Sequence, residues 1–447
     1  MKLKSASTSP SFFSLLPLFV FLFFYLGLSL LTRDFYAVPM PVAFLVAAAA
    51  AILQNRTRTI NDKIDLFAKG MGEPNIMIMC LVFILAGIFS AIAKAMGAID
   101  AAVILARTLI PENLILLGIF SASCFISIAI GTSCGTIATV TPFALGLSAA
   151  TGISIDWMLG AVIGGAMFGD NMSIISDTTI AATRTQGVQM RDKFLTNFRF
   201  TLPALIVTIL IYLFCSPHAT STTPLRALTV TDFVLIFPYI LILILSLLRM
   251  NVMALLFLGS VLALIIGYAT GQFEGFIAFS KMGEGALNMA ETLIVALLAG
   301  GLMSVIRANG GIAYIIQTIG KRVRSSRACE LSIAVLVSIV NLFTANNTVA
   351  IVISGPVAKE ISDQYSCEPR RIAAILDAAS CVIQGLLPYG AQILIAIGIT
   401  KTFFDAADAD VALQDFSIFS LMSKMIYQYA LTIALILFML IKPKAKA

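Results

Sequence analysis

The sequence predicts an all-α polytopic membrane protein built from two inverted-topology repeats that contain helical hairpins and broken helices. Three observations carry that expectation: the composition, a displaced pattern of apolar segments, and loop charges that swap sides between the halves. Of 447 residues, 59% are hydrophobic and only 12% charged, with a mean hydropathy of +0.99. A soluble globular chain does not have that balance. Runs at 12–31, 233–248 and 426–441 are long enough to cross about 30 Å of hydrocarbon. The net charge of +6 is modest and concentrated in one set of loops, which argues against nucleic acid as a partner.

In chain order, apolar segments fall near 12–31, 38–53, 75–96, 114–130, 136–149, 157–183 and 200–215. After a polar loop they recur near 232–248, 251–268, 288–307, 331–345, 349–361, 371–399 and 424–441. The second series is the first displaced by about 214 residues. Without a gap, that displacement pairs Gly87 with Gly301, Ser90 with Ser304, Ile92 with Ile306, Gly97 with Gly311, Ile137 with Ile351 and Pro142 with Pro356. The expected division is a first repeat at 1–215, a connecting loop at 216–231 and a second repeat at 232–447. Between about 10 and 14 membrane segments follow, depending on whether the hairpins span. The first run is too long for a signal peptide and lacks a small-residue cleavage site, so it reads as a retained helix.

Loop charges set the orientation. Residues 54–69 carry Arg56, Arg58, Lys63 and Lys69, whereas their counterpart at 268–283 has Lys281 against Glu274. Residues 184–199 carry Arg184, Arg191, Lys193 and Arg199, whereas 403–420 holds Asp405, Asp408, Asp410 and Asp415. The sense reverses at 321–327, which is strongly basic against only Arg107 and Glu112 at 107–113. Basic loops stay cytoplasmic, so equivalent loops lie on opposite sides and the repeats are inverted. The basic ends place the N- and C-termini in the cytoplasm.

Inverted repeats with a midplane site are an architecture of secondary transporters, and the site is sought where helices are interrupted in both halves. The stretch 114–149 is broken by GTSCGT at 131–136, and 331–361 is broken by TANNT at 344–348. Polar, irregular backbone at membrane depth must be buried in protein or line a cavity, so each pair of segments reads as a hairpin with its tip near the centre. The stretch 157–183 contains Gly169, Asp170 and Asn171, and 371–399 contains Gln384, Gly385 and Pro388 at the equivalent place. Gly and Pro there interrupt the helical ladder and free carbonyls. Asp170 aligns with Gln384 and Asp177 with Ala391, so the charge sits in the first repeat and one site near Asp170 is expected.

Residues 164–184, GGAMFGDNMSIISDTTIAATR, concentrate this chemistry. On an unbroken helix Asp170 and Asp177 share a face with Ser173 between them. An ionised Asp at the bilayer centre costs roughly 2.5–3.5 kcal/mol, which a bound cation offsets. Asp170, Asn171, Ser173, Ser176, Asp177, Thr132 and Ser133, faced by Asn346, Asn347 and Thr348 of the second hairpin tip, offer the oxygens a hard cation prefers. A cation is expected at Asp170 and Asp177, and the family resemblance given below implies that it is Na⁺. Asp377 and Gln384 suggest a proton pathway, with an ion pair to Arg370 or Arg371 as the structural alternative for Asp377. Plainer roles compete at several positions. Asp177 can pair with Arg184 or cap a helix. Thr178, Thr179 and Thr183 can bond back to their own helix. Asn346 and Asn347 can be caps, and Gly87 and Gly97 can serve helix packing. Lys94, Arg249 and Arg307 read as interface residues that snorkel. The seven cysteines lack CxxC spacing and read as buried thiols; His218 lies in a polar loop.

With GTSCGT at 131–136, FGDNMSIISDTTIAATRTQG at 168–187 and the paired hairpin tips, the chain resembles the NhaC-type Na⁺/H⁺ antiporter family, within the larger group of ion transporters built from inverted hairpin-containing repeats. The resemblance covers nearly the whole chain. It implies exchange of cytoplasmic Na⁺ for external H⁺ at the Asp-rich broken helix, in a multi-pass protein of the bacterial inner (cytoplasmic) membrane. Its partners are then the lipid bilayer, Na⁺ and H⁺, with no cofactor and with room for a homodimer. Relatives of the same look exchange organic acids such as malate and lactate. A carboxylate carrier wants a cationic group or opposed half-helix N-termini; the sequence shows no midplane Arg or Lys, but the two hairpin tips offer helix N-termini, so this reading stays open. An intramembrane aspartyl protease, the rival from another class, needs two carboxylates facing each other from separate helices. Here both lie on one segment, so an enzyme is not expected.

Overall fold

The computed structural model describes residues 10–28, 39–54, 58–174, 176–215, 217, 227–248, 250–320, 325–404 and 416–441. Arg56, His218, Arg249, the basic run 321–324, the acidic run 405–415, most of the connecting loop and both termini lie outside them. The described chain is all helical. We number its α-helices α1 (Leu16–Leu22), α2 (Met40–Leu53), α3 (Ile60–Met71), α4 (Pro74–Ala95), α5 (Ala98–Leu109), α6 (Ile115–Ile130), α7 (Ser133–Thr151), α8 (Ile155–Met172), α9 (Asp177–Gln186), α10 (Met190–Phe214) and α11 (Val230–Leu247). There follow α12 (Val252–Ala269), α13 (Ile277–Asn288), α14 (Ala290–Ala308), α15 (Gly311–Gly320), α16 (Ser326–Thr344), α17 (Asn347–Gln364), α18 (Pro369–Leu386), α19 (Ala391–Phe403), α20 (Ile418–Ser423) and α21 (Ile426–Leu440). Nine stretches of helix among the described residues are long and apolar enough to cross a membrane, and four shorter apolar helices accompany them.

The hairpins form at corresponding positions. Helix α6 ends at Gly131 in the left-handed region (φ +76°), and α7 starts two residues later. Helix α16 ends at Ala345, also left-handed (φ +47°), before α17. Glycine adopts that conformation freely, whereas Ala345 pays a strain of about 1–2 kcal/mol. Pro142 and Pro356 interrupt the two outgoing helices at matching places, each removing one ladder hydrogen bond.

Packing between the halves is reciprocal. Helix α9 packs on α17 while α19 packs on α7, and α3 packs on α14 while α13 packs on α4. The last two crossings are close because glycines meet. A Cβ on Gly87 would lie 2.2 Å from the Gly285 carbonyl oxygen, and one on Gly70 would lie 2.4 Å from that of Gly300. Gly97 instead makes a turn at φ +80°, so its expected packing role does not hold.

Helices α3, α5, α13 and α15 escaped the apolar-segment reading because their faces alternate. From Ile60 on, the stretch expected to be a basic loop is therefore helical. Helix α3 opens with a capping box, in which Asp62 N–H donates to Thr59 Oγ1 (3.1 Å) and Thr59 N–H to Asp62 Oδ2 (3.3 Å). Lys63 is buried on it and donates to the Ile52 carbonyl (2.7 Å). Lys94, in the last turn of α4, donates to the carbonyl of Phe403 at the end of α19. Cys215 is exposed, unlike the buried Cys80, Cys124, Cys329, Cys367 and Cys381.

Candidate ion-binding site

Asp170 lies in the last turn of α8 and is 5% exposed. The helix does not break at Gly169, where a Cβ would lie 2.3 Å from Ser127 Cβ. That glycine lets α6 approach α8, and the break falls at 173–176, where Ser173 and Ser176 are both extended. Ser176 is the N-cap residue of α9. The equivalent break after α18 spans 387–390, as Pro388 requires.

Three helix starts converge on the Asp170 carboxylate. Ser133, the first residue of α7, donates from Oγ to Asp170 Oδ2 (2.9 Å). Asn347, the first residue of α17, reaches the same oxygen from Nδ2 (3.4 Å). Ser176 donates from Oγ to Oδ1 (2.5 Å). Each helix N-terminus carries about half a positive charge, so the carboxylate occupies a site whose field offsets part of its desolvation. A chain of amides extends behind it. Gln392 Nε2 donates to Ser133 Oγ (3.0 Å), Gln384 Nε2 to Gln392 Oε1 (2.8 Å) and also to the Ala345 carbonyl (3.0 Å).

A second polar cluster adjoins the first. Lys193 Nζ lies 2.5 Å from Asp377 Oδ2, with both side chains essentially sealed from solvent. The ammonium also donates to the Asn171 carbonyl (2.8 Å) and to Thr179 Oγ1 (2.7 Å). Asn197, one turn along α10, donates from Nδ2 to Asn171 Oδ1 (2.5 Å) and approaches Asp377 Oδ2 (3.2 Å). Asn171 thus ties the Lys193–Asp377 pair to the residue next to Asp170.

Of the residues singled out in the sequence, Asp170, Ser133, Ser176 and Asn347 come together. Asn171 faces the second cluster. Ser173 Oγ donates to the Ile128 carbonyl (3.0 Å), and Asn346 caps α17 by accepting from Val349 N–H (3.0 Å). Thr132 precedes α7 without a side-chain cap bond, and Thr348 N–H donates to Asn347 Oδ1 (3.1 Å). Asp177 does not join them. The break replaces the continuous helix that would align it with Asp170, and it is exposed at the start of α9 with no hydrogen bond or ion pair among the described residues. Of Thr178, Thr179 and Thr183, Thr183 alone bonds back within its helix; Thr178 pairs with Ser176 (2.8 Å) and Thr179 with the Ser173 carbonyl (2.8 Å). Asp377 pairs with Lys193 rather than with Arg371, which makes two bonds to Glu330 (2.7 and 2.8 Å).

Sequence reasoning missed Lys193, Asn197 and Gln392. Lys193 stands among basic residues and was expected in a cytoplasmic loop, but it is a buried cation beside the site. The available signal was its i, i+4 spacing with Asn197, which puts both on one helix face.

A sequence profile described as the Na⁺/H⁺ antiporter family matches residues 9–216 and 221–438. Among curated relatives, the Na(+)/H(+) antiporter NhaC of Bacillus subtilis (strain 168) is 27% identical over 71% of this chain and 76% of its own length. NhaC of Alkalihalophilus pseudofirmus is 28% identical over 58% of this chain and 62% of its own. The malate-2H(+)/Na(+)-lactate antiporter of Bacillus subtilis is 20% identical over 63% and 66%.

Proposed function

We propose that this chain, which belongs to the Na⁺/H⁺ antiporter family, exchanges cytoplasmic Na⁺ for external H⁺ in a bacterial cytoplasmic membrane by letting the two ions compete for the Asp170 carboxylate. The observation that carries the reading is the convergence of Ser133, Ser176 and Asn347 on that one buried group. A carboxylate out of water is stable with a proton or beside a cation, and the two neutralise the same charge. The hydroxyls of Ser133 and Ser176 donate to Asp170 and keep lone pairs for a hard cation. The three helix N-termini oppose an incoming cation, which keeps it from being held too tightly to leave. Alternating access then needs the α6–α7 and α16–α17 hairpins, whose tips contact Asp170 from opposite halves, to exchange the side from which the site is reached.

Antiport of small organic acids is the second reading, brought by the malate/lactate relative and by the buried Lys193. Two features weigh against it. All three ammonium donors of Lys193 are committed, to Asp377, Asn171 and Thr179. The helix N-termini that would receive a substrate carboxylate are already filled by Asp170.

The test is dissipation of a preset pH gradient in proteoliposomes on addition of Na⁺, malate or lactate. Collapse on Na⁺ alone, lost in Asp170→Asn, supports the proposal. Collapse only with an organic acid present, or full Na⁺ response in Asp170→Asn, overturns it.

A further inference from the structure

A cavity of 710 Å³ lies between α10, α18 and α21, away from Asp170. Its walls are apolar, with Phe200, Val207, Ile433 and Leu437 among them, while one end gathers three arginines, Arg199, Arg370 and Arg371, against one carboxylate, Glu368. At that end Arg371 is held by Glu330 and by the Phe438 carbonyl (3.1 Å), and stacks on the Phe438 ring at 4.0 Å. Arg370 is exposed and shares its charge with Glu368. Arg199 is exposed and makes no ion pair among the described residues. Beyond the last lining residue, Ile441, the sequence continues with Lys442, Lys444 and Lys446.

Along α21 the groove runs from Ala430 to Ile441, about 17 Å at 1.5 Å per residue. One leaflet of a bilayer core is about 15 Å deep. Length, apolar lining and a cationic mouth at one end together match a single acyl chain with an anionic headgroup at the interface. The volume falls in the range of ordinary ligand sites. Guanidinium groups suit phosphate, because their planar forks bind it bidentately.

We propose that this groove is a binding site for an anionic phospholipid of the surrounding bilayer, with an acyl chain against α10 and α21 and the phosphate on Arg199 and Arg370. Basic pockets between membrane helices on the cytoplasmic side are where such headgroups are recognised, and the loop charges place this end there. The occupant braces the helices that carry Lys193 (α10) and Asp377 (α18). The inference does not rest on the transport reading, and its test reads binding rather than exchange.

The experiment titrates the delipidated full chain in detergent with phosphatidylglycerol, phosphatidylcholine or inorganic phosphate and follows the thermal midpoint. Phosphatidylglycerol is expected to raise the midpoint, with phosphatidylcholine and free phosphate inactive. The half-saturating lipid concentration should rise about fivefold for Arg199→Gln or Arg370→Gln and about 30-fold for both. Ala434→Trp, which fills the apolar end and leaves both arginines, should abolish the shift; Val207→Phe fills it from the opposite wall should the first variant not fold. Equal shifts with both lipids, or a shift unchanged in Arg199→Gln/Arg370→Gln or in the filled groove, would overturn the proposal.

Discussion

Removing the Lys193 ammonium while keeping Asp377 should destabilise the protein far more than removing both. At 2.5 Å and an effective dielectric of about 20, the pair attracts by about 7 kcal/mol. Desolvating two ions costs several kcal/mol each, so the net worth of the pair is small. Breaking it is another matter, because the survivor is buried without compensation. Lys193→Met leaves Asp377 charged with only the neutral donors Asn197 and Cys381 beside it and removes one of the two donors to the Asn171 carbonyl, and such losses cost about 3–5 kcal/mol. Asp377→Leu strands the ammonium at similar cost. The double variant replaces an ion pair by apolar bulk and should recover most of the loss. The assay is thermal unfolding in detergent followed by thiol labelling of the buried Cys124 and Cys329, with the exposed Cys215 replaced by Ser. Single variants melting like the parent, or a double variant no more stable than the worse single, would refute the reasoning.

The same geometry fixes other outcomes. Ser133→Ala removes one charge-directed hydrogen bond from Asp170 and a partner from Gln392, so the apparent KM for Na⁺ should rise about tenfold or more in a transport assay. Asn347→Ala, whose bond is longer, should raise it less. Asp177→Asn alters an exposed group outside the cluster and should leave Na⁺/H⁺ exchange within about threefold of the parent; complete loss would mean that Asp177 reaches the ion in another state of the cycle. Gly87→Leu drives a side chain into the Gly285 backbone and should cost about 1–3 kcal/mol or more, read as a lowered melting temperature.

What could be read from the chain followed from how local each cause is. The hairpins announce themselves, since GTSCGT and TANNT are polar interruptions of apolar runs, and their displacement aligns Gly131 with Ala345 and Ser133 with Asn347. Asp170 was legible for the same reason, as an uncompensated charge in an apolar segment. The helix break was misplaced because a glycine has two uses. Gly169 serves close approach to Ser127, and the chain departs from the helix only at Ser173. Lys193 was illegible because its partner Asp377 lies far along the chain and basic residues surround it in sequence. Amphipathic helices such as α3 and α13 hide from a search for apolar runs, although they form the reciprocal crossings between the halves.

If one carboxylate takes either ion, Na⁺ binding to the purified protein must release protons, and that release is measured across pH. At a pH where Asp170 is protonated, each Na⁺ bound should displace about one proton, and the apparent Na⁺ Kd should rise about tenfold per unit of falling pH. Asp170→Asn should bind no Na⁺ and release none. Na⁺ binding without proton release, or release that persists in Asp170→Asn, would contradict the account.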